Sequence, residues 1–213
     1  MKILLLNSKQ LEVLNVTLLC VIDTETTGLG KFDRSNPGRI DYPISIGAVI
    51  ADVNVIKKQV RCVDGLYSLI RIPDTSRAEE TMLIHGILPE ELDSAPRPGM
   101  VCLQLNELLS KYETMPIGAW NNQFDKHFVD VLFRMAHMVP PSLVWSEMMP
   151  SSYASLDRFV KAYVKHDEVL CLEAHNAFND CIRALGVYAV LHGYQLELSG
   201  LGNGKQPLIS VYV

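Results

Sequence analysis

The sequence predicts an α/β fold in which a five-stranded mixed sheet is flanked by helices. Three observations carry that expectation. β-branched and alternating apolar runs come first, short strands then alternate with helical periods, and one long helical period closes the pattern. With 213 residues, 48% of them apolar, the chain can bury one sizeable core. A single domain over residues 1–198 with a tail over 199–213 is therefore expected.

Residues 16–22 (VTLLCVI) are apolar and β-branched, as a strand buried on both faces would be. Residues 29–43 (LGKFDRSNPGRIDYP) are rich in turn formers and read as a loop. ISIGAVIADV then alternates, with Ile44, Ile46, Ala48 and Ile50 on one side of a second strand. A third strand is expected between Lys58 and Ile72. Pro73-Asp74-Thr75-Ser76 reads as a helix start. Val101, Leu105, Leu108, Leu109 and Tyr112 share a helical face. Pro116 to Trp120 is a short apolar strand, and Phe124, Phe128, Val131, Leu132 and Met135 mark the helix after it. Leu143 to Trp145 gives a last short strand. Ala177, Cys181, Ala184, Leu185 and Tyr188 mark the final long helix. SGLGNG, after Ser199, reads as flexible, and the closing LISVYV as a docked strand or a loose tail.

The net charge is −5. A protein that gripped long nucleic acid through its surface would be basic, so a polyanion must be held locally or through bound cations. The five cysteines are odd in number and form no CxxC pair, which argues against a disulfide framework or a zinc knuckle. Reduced thiols in a cytoplasmic protein are expected. MKILLLNSKQ has too short an apolar run for a signal peptide, and no stretch is long enough to span a bilayer, so no membrane partner is expected.

The chemistry concentrates in VIDTETTGL, residues 21–29. On a strand, side chains at i and i+2 share a face, so Asp23 and Glu25 project together at the C-terminal end of the first strand. Two like charges this close repel unless a cation lies between them. Taken alone, D-x-E reads equally well as two solvated acids at a strand end. Thr26, Thr27 and Gly28 follow, small residues that let a phosphate or nucleotide approach the backbone. Asp125 stands in the first turn of the helix after the fourth strand, and Asp180 stands among Ala177, Cys181 and Ala184 on the last helix, where a lone aspartate is costly without a partner. Hard oxygen ligands gathered from several elements suit Mg²⁺ or Mn²⁺. On a continuous helix His175 would point roughly 140° away from Asp180. If the helix starts near Ala177 with Asn176 as its N-cap, His175 lies in the preceding loop and can face the acids.

Asp23-Thr24-Glu25-Thr26-Thr27-Gly28, then Asn121 with Phe124-Asp125, then His175-x-Ala177-x-x-Asp180 resemble the three motifs of the DEDDh exonucleases, the family of the proofreading epsilon subunit of bacterial replicative polymerases. Ile84-His85-Gly86-Ile87 resembles the HGI segment of the same family. The resemblance spans roughly residues 16–192. It implies an RNase H-like fold and 3′→5′ exonuclease activity with two divalent metal ions. It makes Asp23, Glu25, Asp125 and Asp180 the metal ligands and His175 the general base. The tyrosine-type sister group carries Tyr at the position of Asn176, so this chain is of the histidine type. Relatives often read HNAxFD at the second motif. Here Trp120 replaces the histidine and Asn122 the alanine, with the aspartate intact.

The resemblance further implies that Thr26, Thr27, Gly28, Leu29, His85, Asn121 and Phe124 contact the terminal nucleotide. The substrate it implies is a single-stranded 3′ end, DNA rather than RNA, with an oligoribonuclease-like RNA trimmer as the alternative. A metal-free adaptor of the same fold would have lost an acid, and none is lost. Gln195-Leu196-Glu197-Leu198-Ser199 faintly resembles the peptides that dock on sliding clamps, which raises a clamp or polymerase as a further partner; it reads equally as an ordinary helix-to-tail connection.

Overall fold

The computed structural model describes residues 16–36, 38–112, 115–150 and 155–201. Among these residues six strands form one mixed sheet: β1 (Val16–Thr26), β2 (Pro43–Asn54), β3 (Gln59–Leu69), β4 (Ile117–Ala119), β5 (Trp145–Glu147) and β6 (Gln195–Glu197), in the order β5-β4-β1-β2-β3-β6. The first three strands form an antiparallel meander, and β4 and β5 add in parallel beside β1. This is the mixed sheet flanked by helices that the sequence predicts, an RNase H-like fold, with one strand more than expected. The sixth strand is three residues long and pairs in parallel with Gln59–Arg61 at the edge. It uses the glutamine–leucine segment that resembled a clamp-docking peptide: Gln59 Nε2 donates to Glu197 Oε2, and Leu196 packs on the core. MKILLLNSKQ and LISVYV lie outside the described residues.

The helices are α1 (Met82–His85), α2 (Pro89–Ser94), α3 (Pro98–Ser110), α4 (Asn122–Met135), α5 (Leu156–Tyr163), α6 (Asp167–Leu170) and α7 (Ala177–His192). α7 lies on one face of the sheet, where Phe178, Cys181, Ile182 and Leu185 meet Leu19, Val21, Val49 and Ala51. α3 and α4 cover the other face, where Leu105, Leu132 and Phe133 meet Cys20, Ile22, Ala48 and Ile50. β2 is buried on nearly every residue because both its faces are covered. The helix start expected at residues 73–76 is a 3-10 turn, Thr75–Ala78, and the α-helix proper follows only at Met82. It stops after one turn because Gly86, in the left-handed region, caps it and returns its N–H to Met82.

Two features place the site. β1 runs four residues beyond its expected end at Ile22, because its pairing with β2 continues to Thr26↔Pro43, with a shift of register after Glu25. Asp23 and Glu25 are therefore held by a ladder on a central strand rather than hanging from its end. On β2, Gly47 lies opposite Asp23, and a Cβ there would come within 2.4 Å of the Ala177 backbone. Only glycine lets the first turn of α7 rest directly on the sheet, which carries Asp180 to Asp23.

Candidate active site

Successive side chains of β1 point to opposite faces. Asp23 and Glu25 share the α7 side with Val21. Thr24 points the other way and holds Asp125: its N–H and its hydroxyl both donate to Asp125 Oδ1, at 3.1 and 3.0 Å. Asp125 is buried in the first turn of α4, where the N-terminal dipole favours an anion. Asp180 is buried in the first turn of α7. Asn176 caps that helix, accepting from Asn179 N–H, so α7 begins at Ala177 and His175 lies in the preceding loop, the arrangement that lets it face the acids. His175 adopts a left-handed backbone (φ 61°) and its N–H donates to Asp180 Oδ2 at 2.9 Å. Its ring is exposed, and ligand-capable atoms of Glu25, His175 and Asp180 lie within 4.8 Å of one another.

The electrostatics show four acids in one field. Burial drives the Asp23 carboxyl well above the usual range, and the charges of Asp125, Asp180 and Glu25 push it further, against Arg183. Burial also lifts Glu25 to about 8, with Asp180 and Asp125 adding to it. Asp125 rises to about 7 through burial, although the bonds from Thr24 and Asn121 oppose the rise. Asp180 is raised by burial against the pull of Arg183 and His175. Carboxyls this repelled hold protons that a cation would displace. The donor set, carboxylate oxygens from three elements, fits a hard divalent cation. Such a cation would neutralise the mutual repulsion of these carboxylates.

Two charged supporting residues, besides the threonines that hold the site, were not read from the sequence. Arg183 is 4% exposed at its side chain; it donates through Nη1 to Asp180 Oδ1 (2.8 Å) and through Nη2 to Asp157 Oδ1 (2.7 Å). Its signal was the i, i+3 spacing of Asp180 and Arg183 on one helix. Asp41 is the second. Its side chain is fully buried and accepts from Arg39 Nε (2.7 Å), Gly30 N–H (2.9 Å) and Thr27 Oγ1 (3.2 Å). No local pattern in the 29–43 loop marks it.

Around the acids, Thr27 is buried, its hydroxyl committed to Asp41. Gly28 lies over the same carboxylate, where a Cβ would fall 2.6 Å from Asp41 Oδ2. Thr26 Oγ1 donates to the Gly28 carbonyl at 2.7 Å. Leu29 is 56% exposed. His85 is buried. Its Nδ1 accepts from Ile87 N–H, which leaves the proton on Nε2 to donate to Thr81 Oγ1 at 2.9 Å. Thr81 in turn donates to the Thr26 carbonyl at 2.9 Å, so His85 reaches the Thr26–Gly28 turn through Thr81. Burial holds the His85 imidazole below its ordinary value, as does the nearby His175, against a backbone carbonyl at Ala78. Asn121 is exposed at the N-cap of α4, and Phe124 is half-buried beside it. Trp120, where relatives carry histidine, is buried edge-on to Phe159 (centroids 5.7 Å apart).

Acids on a central strand and on two helix starts thus converge over an RNase H-like sheet. The profile of the exonuclease family, RNase_T, matches residues 20–188, which contain all four acids and His175. The chain belongs to that family. No curated protein matches it in sequence. Among solved structures it is similar to the zinc-bound complex of Escherichia coli exonuclease I with single-stranded DNA, with 15% identity and a TM-score of 0.61 over 83% of this chain and 41% of that one. It is also similar to the nuclease domain of 3′hExo, a DEDDh family member bound to rAMP, with 14% identity and a TM-score of 0.60 over 89% of this chain and 97% of that domain. A full-length 3′-exonuclease aligns with 12% identity and a TM-score of 0.55 over 81% of this chain and 80% of that one. The chain thus spans less than half the length of exonuclease I. No helix among the described residues is long and apolar enough to cross a membrane.

Proposed function

We propose that this chain removes nucleoside monophosphates one at a time from single-stranded 3′ ends, DNA in preference to RNA. The observation that carries the reading is the convergence of Asp23, Glu25, Asp125 and Asp180 beside the exposed ring of His175. Two Mg²⁺ or Mn²⁺ ions held by the four carboxylates would supply an activated water and stabilise the leaving 3′-oxygen. His175, exposed beside the acids, takes the proton of the attacking water. Thr24 and Arg183 hold Asp125 and Asp180 in place. The turn at Thr26, Thr27 and Gly28 receives the terminal nucleotide, with His85 bracing it through Thr81 and with Leu29, Asn121 and Phe124 at its rim. With a net charge of −5, the chain draws phosphate attraction from the site rather than from a basic surface, so it releases long strands readily.

The deciding experiment is a time course on labelled single-stranded, double-stranded and mismatched-end oligonucleotides, as DNA and as RNA, with Mn²⁺ or Mg²⁺. Stepwise shortening from the 3′ end of single-stranded DNA is expected, lost in Asp23→Asn and Asp180→Asn. Equal activity of those variants would overturn the assignment. The alternative, trimming of RNA, is favoured by one observation: the 3′hExo domain, which this chain covers almost completely, was captured with rAMP. Faster RNA than DNA degradation would select it.

A further inference from the structure

The loop that follows the Thr26–Gly28 turn does more than connect β1 to β2. It opens in a 3-10 turn, Gly30–Phe32, that is clamped to the protein from below. Gly30 N–H donates to the buried Asp41, and Gly30 sits at φ +56°, where an added Cβ would meet the Phe128 ring at 3.1 Å and the His127 ring at 3.2 Å. The clamp fixes Phe32 against α4. Its ring lies 5.8 Å from that of Phe124, tilted by 34°, and 5.6 Å edge-on from that of His127; Phe124 in turn lies 4.8 Å from Phe128. Phe128 is buried, but Phe32 and Phe124 are only half-buried. Lys31 carries its Nζ 5.2 Å from the centroid of the Phe32 ring.

A rigid turn holds two of these rings part-open, under a lysine, at the edge of the acid site: Phe124 immediately precedes Asp125, and the turn starts two residues after Gly28. Local charge favours a polyanion in a chain that is acidic overall. Lys31 and Arg34 are exposed, Asp33 is occupied by the Ser35 N–H and hydroxyl, and Lys126 is matched by Asp130. Part-open aromatic rings beside cations are the arrangement that binds single strands without regard to sequence.

We propose that Phe32 and Phe124, with Lys31 above them, form a stacking platform for a base upstream of the terminal nucleotide in a single-stranded nucleic acid entering the acid site. The proposal rests on the nuclease reading and adds a second subsite to it. Lys31 meets the phosphate beside that base. The loop over residues 29–43 thereby sets how strongly the enzyme prefers an oligonucleotide to a single nucleotide ester.

The test compares wild type, Phe32→Ala, Phe32→Trp and Lys31→Ala in the full chain with Mn²⁺. Substrates are a single-stranded 12-mer, the same strand with one abasic residue walked inward from the 3′ end, and the p-nitrophenyl ester of thymidine 5′-monophosphate. Phe32→Ala is expected to raise the ratio of the 12-mer KM to the ester KM about tenfold, and Phe32→Trp to restore it. An abasic residue at one upstream position is expected to raise the wild-type KM similarly and to add little to Phe32→Ala. Lys31→Ala should lower the salt slope of strand binding by about one. An unchanged ratio, or abasic and Phe32→Ala effects that simply multiply, would overturn the platform. If the wild type cleaved no substrate, the nuclease reading itself would fall, and fluorescence anisotropy of a labelled strand on the same variants would still decide whether the platform binds it.

Discussion

Two aspartates on neighbouring segments meet opposite environments. Asp41 is buried, yet its carboxyl lies below the usual range. Burial pushes it up, and the Arg39 hydrogen bond, the Gly30 N–H, the Arg39 charge and the Thr27 hydroxyl more than offset that. Asp23, eighteen positions earlier, is driven far upward by burial, and its carboxylate neighbours drive it further. The protein answers one carboxylate with its own donors and leaves the other facing like charge. The first arrangement is structural: it ties the 27–41 turn to the end of β1. The second is destabilising on its own and makes sense only where a cation completes it. Asp180 lies between these extremes, since Arg183 supplies part of the missing positive charge.

The contrast breaks most sharply under substitution. Asp23→Asn should reduce nuclease activity by about three orders of magnitude, since a lost ligand removes charge stabilisation at the reacting phosphate. The melting temperature of the metal-free protein should not fall, because a repelled carboxylate has been removed. A clear fall in that temperature would place Asp23 with Asp41. Asp41→Ala should do the reverse and cost about 3 kcal/mol of stability by urea titration, at the low end for a broken buried pair because Arg39 is 20% exposed and keeps Glu80. A loss under about 1 kcal/mol would show that the loop does not depend on this network.

Arg183 tests the intermediate case. Arg183→Gln leaves Asp180 without its cation and Asp157 with only Lys161. Loss of a group that orients a ligand costs about 10- to 100-fold in metal affinity or activity. The expected result is a rise of that size in the Mn²⁺ concentration for half-maximal rate, with kcat at saturating Mn²⁺ close to wild type, and partial recovery in Arg183→Lys. A fall in kcat that added metal does not repair would contradict a positioning role.

The acids were legible because each sits beside a strong local signal: Asp23 and Glu25 at the end of an apolar run, Asp125 after a short strand, Asp180 on an apolar helix face. The N-cap at Asn176 was legible too, and it decided where His175 lies. What holds these groups was not legible, because it acts between segments distant in sequence. Thr24 meets Asp125 across 101 positions, and Gly47 matters only because the Ala177 backbone rests on it. β6 escaped because three residues at an edge carry too little periodicity to register. α5 was missed although Leu156, Phe159, Val160 and Tyr163 carry the helical spacing.

The smallest effect is a slope in pH, and it separates the two environments without a substitution. Glu25, at about 8, and Asp125, at about 7, titrate in the metal-free folded chain above their unfolded values. Between roughly pH 4.5 and 8 the folded state therefore holds more protons than the unfolded state. Stability changes with pH as the unfolded minus the folded proton count, which is negative here, so it is greatest below the unfolded pKa and falls as pH rises through the folded values. Each extra proton contributes at most about 1.4 kcal/mol per pH unit. Asp41, held low, has the opposite sign: its contribution is present above its unfolded pKa and is lost only on acidification below that range. Urea titrations of the metal-free protein from pH 5 to 8 should show stability declining, and saturating Mg²⁺ should flatten the decline, because a cation binds the ionised acids of the folded state alone. A flat profile without metal would mean that the four acids are already balanced by the protein, and the distinction between Asp23 and Asp41 would disappear.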